Sequence, residues 1–174
     1  MRRSYANYYK ALDRVTNLVE LLISCHPQGF GVLLGDVDAP DSLMIHTMMN
    51  AGRVAMPDDF KPTNRSNETE AERIVYDRDY FDESVKMADG WPHIHLVSKE
   101  FKEADSRMWS IVMDHVKFVS NPSSRYMSKL GYVASRYSLS PRTVTKYRKE
   151  FPMKLAYMIL MPEAEKNKFY LLPG

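Results

Sequence analysis

The 174-residue chain has a single cysteine, Cys25, and that scarcity removes two kinds of small stapled domain. One thiol forms no intrachain disulfide and cannot anchor a cysteine-rich zinc site. Placed at the apolar end of a helical stretch, Cys25 is expected to be core material rather than a nucleophile. Long apolar runs are missing too, with none near the roughly 20 residues of a membrane span. The opening MRRSYANYYKALDR turns polar too early for a signal peptide, so a cytoplasmic protein without a membrane partner is expected. No repeat or low-complexity tract is visible. No Ser/His/Asp, Cys/His or paired-carboxylate spacing suggests catalysis, so the expectation is a non-enzyme without a cofactor. The glycines of Gly29-Phe-Gly-Val-Leu-Leu-Gly lack the lysine of a phosphate-binding loop, and the segment reads as a turn with a short buried strand or connector.

What is present is a globular composition, 44% apolar and 26% charged, in a chain long enough for one domain or two small ones. The reading is mainly α. Tyr5, Tyr8, Leu12, Val15, Val19 and Leu22 recur at spacings of three and four, which predicts a first amphipathic helix. Asp36, Asp38 and Asp41 crowd a turn that lacks the glycine and terminal glutamate of a calcium loop. Asp38 or Asp41 is instead expected to cap a Met-rich helix from Ser42 to about Val54. Met56 to Glu70 reads as a connection, with Asn67 and Glu70 forming a capping box for the next helix. His93-Ile-His-Leu-Val reads as extended chain, which would set His93 and His95 on one side of a strand as metal ligands can be. Spacing specifies no third ligand, so no metal is expected, and a metal-dependent enzyme using His93 and His95 is kept only as an alternative. Trp109, Val112, Val116 and Val119 predict a helix whose tryptophan centres a small C-terminal core.

The net charge of +2 conceals a polarised chain. From Asn121 to Lys154, eight basic residues face the single acid Glu150, whereas Met56 to Gly90 holds ten acids and five bases. A local cationic surface of this kind attracts phosphate whatever the overall charge. The acidic stretch is expected to face away from DNA or toward a basic protein.

The cationic stretch is also the best patterned. In Leu130 to Phe151, LGYVASRYSLSPRTVTKYRKEF, Val133, Ala134 and Tyr137 form the buried stripe of one helix, and Val144 and Tyr147 that of a second. Ser140-Pro141 is a helix start, with a side-chain cap followed by a proline in the first turn. Leu139 plugs the bend, and Ala134 supplies the small residue that two crossing helices need. This pattern resembles the helix-turn-helix of DNA-binding regulators. With a preceding helix over Asp105 to Val119, it is similar to the promoter-binding domain of sigma factors and to modules of phage late-gene activators and antiterminators. One departure is Ser138, at a turn position that tends to positive φ and is usually glycine, at a cost of about 1 kcal/mol.

The resemblance implies a transcription regulator with double-stranded DNA as partner, a second helix at about 141–150 in the major groove, and a homodimer. Arg142, Thr143, Thr145, Lys146 and Lys149 would lie on or near the open face, the first of them at base edges. Arg136, Arg148 and Lys129 would hold phosphates. The expected division is a helical partner or dimerisation region at 1–99 and a DNA-binding domain at 100–174. The latter would end in a β-hairpin wing or a helix, with the two short, proline-bounded apolar runs after Pro152 favouring the hairpin. Docking on RNA polymerase with secondary DNA contact is the alternative.

Overall fold

The computed structural model describes residues 5–55, 69–117 and 129–161, and among these every regular element is a helix. In α1 (Tyr5–Cys25), Val15, Leu18, Val19 and Leu22 repeat at three, four and seven residues and bury one side. Gly29–Leu34, read as a turn with a short buried strand or connector, forms the short helix α2. Its apolar residues do not alternate with polar ones, so both sides of the segment go inward and nothing favours a sheet register. Gly29 permits this turn back against α1, since a Cβ there would fall 1.9 Å from the carbonyl oxygen of Leu22. Gly35, at φ 80°, ends the helix in the left-handed region.

Side chains start the next helices. Asp41 Oδ1 accepts from the Met44 amide at 2.8 Å at the head of α3 (Ser42–Ala55). Thr69 caps α4 (Glu70–Met87), accepting from the Glu72 amide, while the expected cap Asn67 lies outside the described residues. The stretch read as extended is α5 (Trp91–Ala104), with Pro92 in its first turn, where a missing N–H costs nothing. The helix expected over Asp105 to Val119 is described from Ser106 to Lys117, and it is separate from α5. Asp105 closes α5 and its carboxylate accepts from the Met108 amide, opening α6 (Ser106–Lys117).

The last two helices are α7 (Lys129–Arg136) and α8 (Pro141–Leu160). Of the two courses left open after Pro152, the favoured hairpin and a helix, Leu155 to Leu160 takes the helix, as α8 continues through the proline. Proline removes the amide that would bond the Arg148 carbonyl and costs about 3 kcal/mol within a helix. Against this, Phe151, Leu155, Met158 and Ile159 keep helical spacing and are fully buried, each contributing about 1.5–3 kcal/mol. Burial outweighs the lost bond. The second run of the expected wing, Phe169 to Leu172 with Lys166 and Lys168, lies outside the described residues.

Most apolar side chains meet in one core drawn from α1, α2, α3, α4, α5, α6 and α8. Its centre is aromatic: Trp109 sits 5.5 Å from Phe30 and 5.4 Å from Phe151 between ring centroids, and Phe101 lies 5.5 Å from Phe151. Trp109 therefore belongs to this main core and not to a separate C-terminal one, because α6 presents it toward α2 and α8. The boundary expected at residue 99 falls inside α5, and core residues come from both sides of it. A second, smaller cluster joins Ile111 of α6 with Val133 and Ala134 of α7 and Val144 of α8.

Candidate nucleic-acid interface

The small cluster contains the apolar residues singled out in the sequence. Val133, Ala134 and Val144 are buried, and Tyr137, Leu139 and Tyr147 pack around them. The turn between α7 and α8 has one defined geometry. Leu139 N–H donates to the Ala134 carbonyl at 2.8 Å and Ser138 N–H to the Ser135 carbonyl at 3.3 Å, the paired bonds of a Schellman end. Ser138 carries φ 56°, the left-handed value expected at this position, without a glycine to relieve it. Ser140 then caps α8, its Oγ accepting from the Thr143 amide at 3.2 Å. Helix α6 holds this turn at two points: Arg107 Nη2 donates to the Tyr137 carbonyl at 3.0 Å, and the Tyr137 hydroxyl donates to Asp114. Partial burial and the bond to Asp114 push the Tyr137 phenol up to about 12, so this hydroxyl keeps its proton through the neutral range.

The outward side of α8 presents Arg142, Thr145, Lys146 and Lys149, all exposed and within one helical stripe. The three cations make no hydrogen bond or ion pair with the described residues. Thr145 turns its hydroxyl to the Pro141 carbonyl at 3.1 Å, and Thr143, half-buried, bonds the Ser140 hydroxyl at 2.9 Å. Both threonine hydroxyls thus bond within the first turn of α8. Met153, 58% exposed, continues the stripe toward the C-terminus.

The residues expected to hold phosphates fare differently. Arg136 is exposed and lies 3.4 Å from Asp114 on α6. Arg148 does not share the open face. Its guanidinium grips both carboxylate oxygens of Glu20 on α1 at 2.8 Å and the Ser24 hydroxyl at 2.7 Å. It lies on the flank of α8 that rests on α1, so it ties the helix to the body. Lys129 begins α7, and its side chain lies outside the described residues. Sequence reasoning missed Arg107, Asp114 and Glu20. Arg107 and Asp114 stand seven apart on one side of α6, a weak signal; the pairing of Glu20 with a residue 128 positions away left none.

His93 and His95 are not brought together as the strand reading required. On a helix, residues two apart point nearly opposite ways. His93 Nε2 donates to the Ile159 carbonyl at 2.7 Å, while His95 stacks on Trp91. Burial first, then the charge of Lys99, lowers the His95 pKa from its ordinary value and favours the neutral ring. Among the described residues no group of three or more His, Cys, Asp or Glu side chains is placed to hold a metal ion. Asp77, counted with the outward acids, is instead buried between α3 and α4. There it accepts from His46 Nδ1 at 2.7 Å and from Arg53, while Asn50 links His46 to Arg53 and closes the ring. An unpaired carboxylate would not remain buried, and this ring supplies its partners.

No helix among the described residues is long and apolar enough to cross a membrane. Compared with known proteins, the chain matches no protein-family model, no curated protein and no solved structure.

Proposed function

We propose that the chain is a sequence-specific, double-stranded-DNA-binding transcription regulator that lays the first half of α8 in the major groove. The observation that carries this reading is the stripe of Arg142, Lys146 and Lys149. Three cations on one helix side, each without a described protein partner, stand on a helix whose opposite side is pinned by Val144 to α6 and α7. Side chains at the N-terminal end of such a helix reach base edges, with arginine suited to the paired acceptors of guanine. Lys149, farther along, and Arg136, beside the turn, lie where the backbone phosphates run and set register.

The test is the salt dependence of binding to random-sequence duplex DNA, followed by selection of preferred fragments. Each phosphate contact contributes about 0.9 to the slope of log affinity against log salt. Arg142→Ala combined with Lys146→Ala should abolish sequence preference and weaken binding strongly while the fold melts as before. Unchanged binding by that double variant, or no salt-sensitive binding by the unaltered chain, would refute the reading.

A further inference from the structure

Arg107, near the start of α6, is exposed, yet one of its N–H groups is fixed on the Tyr137 carbonyl at 3.0 Å. That carbonyl lies three residues before the Ser140 cap, across a tight turn that spans less than the roughly 10 Å of an extended chain of that length. The major groove is about 12 Å wide. A cation so near the leading end of a helix lying in the groove comes level with the phosphates along its edge. Arginine has five N–H donors, and those Arg107 does not spend on Tyr137 have no partner among the described residues. Arg136 flanks the same tyrosine, its guanidinium carbon 5.8 Å from the ring centroid, but its charge is already shared with Asp114. Arg107 has no carboxylate within ion-pairing distance among the described residues, so it is the less compensated of the two cations.

We infer that Arg107 is a phosphate-contacting residue of the DNA interface, gripping the strand beside the groove while the same guanidinium braces the turn that aims α8. The inference rests on the DNA-binding reading and extends it to a helix outside the reading pair. A residue that only braced the turn would affect affinity through the pose of α8. A residue that also meets phosphate must carry part of the salt dependence.

The experiment uses the full chain and random-sequence duplex DNA across a salt series, with Arg107→Gln and Arg107→Lys. Glutamine retains an N–H for the Tyr137 carbonyl and removes the charge; lysine retains both a donor and the charge. Arg107→Gln should flatten the log–log salt slope by about 0.9 and weaken binding equally across sequences, with the melting temperature unchanged. Arg107→Lys should restore the slope. If the unaltered chain binds with strong salt dependence and Arg107→Gln leaves the slope as it was, the inference is overturned while the DNA-binding reading stands. If the unaltered chain binds no duplex at all, both are overturned.

Discussion

From Pro141 to Glu150, α8 turns Arg142, Lys146 and Lys149 outward and buries only Val144; from Phe151 to Leu160 it buries Phe151, Pro152, Leu155, Ala156, Met158 and Ile159. The first half rests on a cluster of four fully buried side chains, whereas the second lies within the aromatic centre of the main core. A ten-residue helix with so few buried contacts is marginal alone. It is held because its continuation is anchored, because Ser140 caps its start, and because Arg148 fastens its flank to Glu20. Division of labour along one helix lets its solvent-facing cationic half stay ordered while burying little of its own surface.

The sharpest way to break that contrast is Phe151→Ala. Phe151 touches the rings of Phe30, Phe101 and Trp109, and its loss should cost about 3–5 kcal/mol in urea denaturation, taking both halves down together. A cost below about 1 kcal/mol would show that the main core is not centred there. Next comes Ala134→Leu, which overfills the contact of α7 with α8 and should cost about 1–3 kcal/mol. Here DNA affinity should fall while the fluorescence of Trp91 and Trp109 stays native; a fluorescence change would make the two clusters one unit. The smallest effect is expected from Arg148→Gln. Removing a partly exposed ion pair should lower stability by about 1 kcal/mol and leave the salt slope of DNA binding unaltered. A slope flattened by about 0.9 would put Arg148 on phosphate after all.

The turn before α8 was legible in the sequence because the residues that shape its backbone are local, although the brace from Arg107 and Asp114 on α6 is not. Ser140, Pro141, the small Ala134 and the left-handed position of Ser138 lie within eight residues, and capping and sterics act at that range. The course of α8 beyond Pro152 was not legible, since a rule about proline met a burial term that exists only once α1, α5 and α6 are in place. The histidine pair failed for a related reason. A two-residue spacing means the same side on a strand and opposite sides on a helix, so the wrong element inverted the geometry. Asp77 and Arg148 were read as surface charges because their partners, His46, Arg53 and Glu20, come from distant segments. Charge counts along the chain cannot distinguish a solvated ion from one paired across the fold.

The unbroken passage of α8 through Pro152 makes it a lever about 30 Å long, with its fulcrum among packed aromatic rings. The arm from Pro152 to Arg142 is about 15 Å, so tilting it by about 10° displaces the tip by roughly 2.6 Å, close to the length of a hydrogen bond. Any shift in the packing of α1 or α5 against that pivot would thereby swing Arg142 sideways by most of a hydrogen-bond length.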